Sequence, residues 1–406
     1  MRTSLIRFLL TAVSFALLPL TQGLAETSGH PKAASALHSL PGPYDGQIAK
    51  SISRHLQFRH FSKMPFKDNV SSKFLDRYLD SLDNLHMYFT QADLAEFEKY
   101  RTKLDELTTD QGDTYPAHYI FDRFLERLQQ QHDYVNALLK SETFNFTGDD
   151  KYLYNRKEAP RPKDLAEAEK LWRERLRYEY LQEKLNGEKP LETANILTRR
   201  YARILKALKE YDSEEVLQYY LSALAHVYDP HSDYLSKSEL ENFSIGMNLS
   251  LFGIGAQLQS EDGYCKIREL VPGGPAMRSQ RIKPGDRIIA VAQASQEAVD
   301  VVDMKLRKVV ELIRGPKGTE VRLTIIPSDS ADPASRKVVP LIREEIKLED
   351  QEAKAKLIET KDAKGQTARL GVIDLPSFYA TFDIEGKGGS ETHRSISCAG
   401  AAEAGR

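Results

Sequence analysis

The sequence has little cysteine and little tryptophan. Its 406 residues include two cysteines and one tryptophan, so a disulfide framework and a four-cysteine zinc site are excluded. It also lacks an excess of either charge, because 57 Lys and Arg stand against 59 Asp and Glu. Nucleic-acid binding through bulk positive charge is therefore not expected. The sequence contains no phosphate loop, dinucleotide fingerprint or Gly-x-Ser-x-Gly elbow, and we predict no cofactor and no metal site.

Long apolar runs are absent after the first 25 residues. Arg2 and Arg7 precede an apolar run from Phe8 to Leu20, and Gly23-Leu24-Ala25 supplies small residues where a signal peptidase requires them. We predict a cleavable signal peptide at 1–25, a periplasmic location and no stable membrane span after cleavage. The alternative is an uncleaved anchor, which the short run disfavours.

In the rest of the chain, the residue pattern changes from helical to β-rich near residue 238. Residues 26–45 are rich in Ser, Gly, Pro and Ala and are interpreted as a flexible leader. From 46 to 237, apolar residues recur every three or four positions, which predicts a helical domain. Within it, Thr90-x-x-Asp93 predicts a capped helix start. The clearest helical face comprises Phe74, Leu75, Tyr78, Leu79, Leu82 and Leu85.

Short β-rich runs separated by Gly and Pro turns occupy residues 238–345. A hairpin turns at Glu261-Asp262-Gly263, and Gly273-Gly274-Pro275-Ala276 begins a short helix. A strand from Arg287, a helix over Asp303–Ile313 and a strand over Val321–Ile326 follow. This order resembles a PDZ domain of the bacterial, circularly permuted kind, which implies a partly open β-barrel with two helices.

The PDZ resemblance implies a peptide-binding site near residue 253. In that family, a loop binds the terminal carboxylate of another chain through successive main-chain N–H groups, because a concave row of amides attracts an anion. The bound peptide pairs with the next strand. An ordinary Gly-containing bulge is the alternative. The residues that the resemblance assigns to the carboxylate are Leu251, Phe252, Gly253, Ile254 and Gly255.

An apolar groove is expected beside this site, between the strand that starts at Gly255 and the helix over Asp303–Ile313. It would hold the last side chain of the peptide. Gly253 and Gly255 would let the main chain turn and be approached closely. The candidate groove residues are Ile254, Ala256, Leu306 and Val310.

Seven segments carry a wider resemblance, to the tail-specific protease, or C-terminal processing peptidase, of Gram-negative periplasms. They are Phe74–Leu79, Leu197–Tyr201, Asp229–Ser236, Met247–Leu251, Gly315–Gly318, Glu344–Asp350 and Arg369–Tyr379. The resemblance implies a multidomain α+β chain, with the first strand of an α/β protease domain in 346–389. It also implies a serine endopeptidase with a Ser–Lys dyad, protein substrates with free apolar C-termini, and a possible helical-repeat lipoprotein adaptor.

Residues 390–406 depart from that family. They contain one Ile and no Leu, Val, Phe or Tyr, and the last lysine is Lys387. A Ser–Lys site needs its lysine within reach of the hydroxyl. We therefore interpret this segment as an aberrant tail, name no catalytic residue, and expect a chain that is truncated before the dyad and binds without cleaving. The alternatives are Ser395 or Ser397 acting with an upstream lysine, and a secreted PDZ module or adaptor that is not an enzyme.

Overall fold

A computed structural model of the chain describes residues 39–330, 335–348, 351–361 and 366–380. A helical region comes first and a PDZ-like β domain follows, which confirms the predicted fold class. The predicted signal peptide, most of the leader and the tail at 390–406 lie outside the described residues. Where the structure describes the chain, no helix combines the length and apolarity needed to cross a membrane.

The helical region contains ten helical segments within residues 39–248. Eight are α-helices, joined by a short 3-10 turn at Glu98–Tyr100 and a π-helical segment at Glu106–Gln111. The α-helices are α1 (Asp45–Phe58), α2 (Asp68–Leu82), α3 (Gln91–Phe97), α4 (Tyr115–Ser141), α5 (Leu165–Leu185), α6 (Pro190–Lys209), α7 (Ser213–Tyr228) and α8 (Lys237–Asn248).

The apolar face predicted for α2 is buried in the largest core of the molecule. Phe74 and Tyr78 are fully buried, and the Tyr78 hydroxyl donates to the Ala117 carbonyl of α4 at 2.9 Å. Tyr220 of α7 packs on both rings, with centroids 4.5 and 5.2 Å away. Burial of these large rings is the main source of stability here, since each removes more than 100 Å² from water, by a rough estimate.

The predicted capping box at Thr90 is present. The Thr90 hydroxyl accepts from the Asp93 N–H, and the Asp93 carboxylate accepts from the Thr90 N–H. The same carboxylate is buried and accepts hydrogen bonds from Arg123 and Arg127 of α4. A local sequence signal therefore also ties α3 to α4.

The β domain is built on one antiparallel sheet. The strands of this domain are β1 (Ser250–Gly253), β2 (Ala256–Glu261), β3 (Tyr264–Leu270), β4 (Arg287–Gln293), β5 (Val299–Asp300), β6 (Glu320–Ile326), β7 (Lys337–Ile342) and β8 (Glu344–Lys347). The strand order in the sheet is β2-β3-β4-β6-β7, with β5 added beside β4. The other two strands, β1 and β8, form a separate antiparallel pair. The helices are α9 (Pro275–Ser279) and α10 (Leu306–Ile313).

A two-stranded hairpin ends the described part of the chain. It consists of β9 (Lys354–Lys361) and β10 (Thr367–Asp374), with Leu370 opposite Ile358. The predicted opening strand of a protease domain falls on β10. Both Leu370 and Ile358 are exposed.

Candidate functional site

The predicted carboxylate loop is shorter in the structure than the sequence suggests. Leu251, Phe252 and Gly253 belong to β1, where Phe252 lies opposite Glu345 of β8. Only Ile254 and Gly255 form the turn between β1 and β2. The difference arises because β8, more than 90 positions further along, pairs with β1 and straightens it.

The turn requires a glycine at position 255. Gly255 has φ +70°, and a Cβ there would lie 3.0 Å from the Gly274 Cα. Gly253 has no positive φ, and its added Cβ would meet only the Leu251 side chain, at 3.3 Å. The predicted need for a turning glycine therefore holds for Gly255 and not for Gly253.

The hydrogen bonds that hold this turn leave two main-chain N–H groups unpaired within the described residues. The Ile254 carbonyl accepts from the Ala276 N–H at 2.8 Å, and the Gly255 carbonyl accepts from the Val271 N–H at 2.9 Å. These bonds fix the turn. The N–H groups of Ile254 and Gly255 themselves have no acceptor among the residues described. Successive free amides of this kind favour an anion.

The strand that follows the turn is an edge strand. One side of β2 pairs with β3, with Ser260 opposite Cys265, and no described strand pairs with the other side. Helix α10 lies beside β2. An exposed edge presents unpaired N–H and C=O groups that an extended peptide can complete.

The structure brings the predicted groove residues to this edge. Ile254 is buried, while Ala256 and Leu306 are half-buried and pack against the same core. Val310 is half-buried and stands one helical turn after Leu306, on the same face of α10. The neighbouring Val309 points into the core. The sequence prediction therefore placed the strand and the helix correctly beside each other.

A buried arginine, which sequence reasoning missed, holds the end of α10. Arg343 is 2% exposed. Its guanidinium donates to the Ile313 carbonyl at 2.8 Å, the Leu312 carbonyl at 3.1 Å and the Gln293 side chain at 2.6 Å. Arg343 immediately precedes β8, so one side chain connects α10 with the strand that pairs with β1. The only sequence signal was an arginine placed directly after the apolar β7.

Ion pairs join α10 to the helical region, and sequence reasoning missed these as well. Lys305 contacts Glu215 at 2.8 Å, and Arg307 contacts Asp212 at 3.1 Å and the Ser238 hydroxyl at 3.1 Å. Burial tends to raise the pKa of Asp212, but the Glu215 N–H and Arg307 outweigh burial and lower it. Helix α10, which borders the predicted groove, is therefore attached to both domains.

A separate cavity of about 780 Å³ lies on another side of the turn. Its walls include Gln257, Val271, Gly274 and Ile346. Neither Leu306 nor Val310 lines it, so it is not the predicted groove.

Comparisons with known proteins identify both parts of the chain. Residues 52–238 match the family described as tail specific protease N-terminal domain, and residues 242–326 match the PDZ domain family. The tail-specific protease of Haemophilus influenzae is 38% identical over 337 residues, which are 82% of this chain and 47% of that protein. The carboxy-terminal processing protease CtpA of Bacillus subtilis is 38% identical over 97 residues, which are 24% of this chain and 20% of that protein.

A solved structure also resembles part of the chain. The PDZ domain of the carboxy-terminal protease from Vibrio cholerae, crystallised in complex with a peptide, is 49% identical with a TM-score of 0.24. The match covers 25% of this chain and all of that one. The chain spans about half the length of the Haemophilus protein, 47%.

Proposed function

Because the chain belongs to the tail-specific, or C-terminal processing, protease family, we propose that it supplies the part of such an enzyme that recognises substrates. It captures protein substrates by their free, apolar C-termini. The observation that carries this proposal is the pair of free N–H groups at Ile254 and Gly255, next to the open edge of β2.

Three interactions would hold the substrate tail. Its carboxylate accepts hydrogen bonds from the N–H groups of the turn, each contributing about 1.5–3 kcal/mol because the acceptor is charged. Its main chain extends the sheet at β2. Its last side chain is buried against Leu306 and Val310, which contributes about 1.5–3 kcal/mol for an aliphatic residue.

The family resemblance is the basis for the hydrolytic chemistry and the adaptor. The signal peptide predicted in the first 25 residues is the basis for the compartment. We propose a serine-type cleavage by a Ser–Lys dyad, in the periplasm, on substrates that a helical-repeat lipoprotein can deliver. No residue of this chain is assigned to the dyad.

The proposal is tested with the full chain and a fluorescent peptide that ends in a free, apolar C-terminus. Fluorescence anisotropy gives the affinity, and mass spectrometry of the same mixture shows whether the peptide is cut. Leu306→Asp and Val310→Asp place a charge in the groove and should each weaken binding by about tenfold or more. Val338→Asp is the matched control, because Val338 is exposed on β7 at the opposite edge of the sheet.

The Val310→Asp variant distinguishes a loss of peptide binding from a loss of folding. Val310 is half-buried and outside the domain core, so Val310→Asp should keep the far-ultraviolet circular dichroism of the parent. Equal affinity in both groove variants and in Val338→Asp would show that the tail binds elsewhere. Cleavage of the peptide by highly purified chain would show that the chain itself carries a hydrolytic site.

A further inference from the structure

The end of α1 and the loop that follows it carry a second surface, distant in sequence from the groove. Phe58 is 69% exposed and Phe61 is 99% exposed, so the second ring projects from the protein almost completely. Arg54 and Phe58 are four residues apart on α1 and share a face. We define the aromatic–basic patch as Arg54, Phe58, Arg59, Phe61, Lys63 and Lys67, all of which are exposed.

The patch carries four cationic side chains and little negative charge in the adjoining sequence. No acidic residue occurs between Arg54 and Lys67, and none of its four Arg and Lys side chains has an ion pair within the described ranges. Asp68, which directly follows Lys67, is the nearest acidic residue in the sequence. The cationic groups are therefore free to meet an external anion.

The loop that carries the patch is anchored to the core. Phe66 is buried and meets Phe74 edge to face at 6.0 Å. The His60 ring packs on Tyr228 with centroids 5.6 Å apart, and its Nε2 lies 3.2 Å from the Ser232 hydroxyl. Phe61 is thus displayed by a structured loop. A single exposed apolar side chain is common, but two exposed phenyl rings three positions apart, among cationic side chains, form a patch typical of an interaction surface.

We propose that the aromatic–basic patch docks the protein on an anionic phospholipid surface. Phe58 and Phe61 enter the boundary between headgroups and acyl chains, while the four cationic side chains contact headgroup phosphates. The combination of two exposed rings with four cations favours lipid over an acidic protein, because the rings can enter the acyl boundary while the cations contact headgroup phosphates. The protein would lie on the bilayer without spanning it, and the inference does not depend on the peptide groove.

The test places a reporter at the tip of the patch in the full chain. Phe61→Trp adds one indole to a protein whose own Trp172 is fully buried. Vesicles of brominated phosphatidylcholine, with or without an equal part of phosphatidylglycerol, quench an indole that enters the acyl region. A local reporter is needed because the apolar run Phe8–Leu20 could itself hold the chain on a vesicle. Leu191→Trp, at an exposed position of α6, is the matched control.

We expect the indole at position 61 to be quenched by anionic vesicles, less so at high salt, and the indole at position 191 to remain unquenched. Adding Lys63→Gln or Lys67→Gln should lower the partition constant about fivefold each. The proposal would be overturned if the indole at position 61 were not quenched. It would also be overturned if quenching were equal on neutral and anionic vesicles and insensitive to the lysine changes. An emission change on polyglutamate but not on vesicles would overturn it too, and would assign the patch to an acidic protein.

Discussion

Replacing Gly255 by alanine should damage both the turn and the peptide site. A residue with a Cβ at φ +70° costs about 1–2 kcal/mol. The new methyl group would also lie 3.0 Å from the Gly274 Cα and 3.2 Å from the Ile346 side chain. A main-chain atom cannot rotate away, and overpacking of this kind typically costs about 1–3 kcal/mol. The free energy of unfolding of the β domain should therefore fall by about 2–5 kcal/mol.

Gly273 provides a control with a similar positive φ and no crowding. Its φ is +72°, and nothing lies within 4 Å of an added Cβ. Gly273→Ala should cost only the conformational term, about 1–2 kcal/mol. Urea unfolding measures both losses, and anisotropy with the apolar-tailed peptide measures affinity. Because the shift displaces the N–H groups of Ile254 and Gly255, Gly255→Ala should bind about 10- to 100-fold more weakly, while Gly273→Ala binds like the parent.

The comparison between the two alanine variants tests separately whether the turn at Gly255 is crowded and whether it binds the peptide. If both lose the same stability and both keep the parental affinity, then the turn at Gly255 is neither crowded nor part of the ligand site. A loss of stability in Gly255→Ala with intact affinity would retain the packing argument and reject the binding site.

Two further predictions concern buried charges. Arg343→Lys keeps the charge but loses the planar guanidinium that donates to several acceptors at once. We therefore expect the free energy of unfolding to fall by about 2–4 kcal/mol and the peptide affinity to fall with it. Parental values in a urea titration and in a binding titration would contradict the role of Arg343 in holding α10. Burial tends to raise the pKa of Asp93, but Arg127, the Thr90 N–H and Arg123 lower it from 3.8 to about 2. Because the folded state holds the carboxylate ionised, Asp93 should contribute about 2.5 kcal/mol above about pH 4 and lose it as the pH falls through about 2. Asp93→Asn should therefore be less stable at neutral pH and equal to the parent near pH 2, as followed by thermal unfolding; a difference that does not change with pH would refute this.

Local signals in the sequence predicted the elements well. The face of α2 with Phe74 and Tyr78, the capping box at Thr90 and the hairpin turn at Asp262–Gly263 each depend on residues within a few positions of one another. In such cases the periodicity or the turn chemistry alone determines the local structure.

Contacts between distant segments were not predictable in this way. Helix α10 begins at Leu306 instead of Asp303, because Asp303 has φ +57° and its N–H donates to the Gly263 carbonyl of the hairpin turn. Three other contacts likewise join residues that are far apart in sequence. They are the pairing of β1 with β8, the hydrogen bonds of Arg343 to the end of α10, and the ion pair between Lys305 and Glu215. These contacts position the elements around the predicted groove, but no short sequence motif indicates them.

The most direct test of the central claim compares two peptides that differ only at the tail. One ends in a free carboxylate and the other in a carboxamide, and both are titrated into the full chain at the same ionic strength. If the N–H groups of Ile254 and Gly255 bind the terminal anion, amidation should weaken binding by at least about tenfold. Equal affinity for the two peptides would contradict the account.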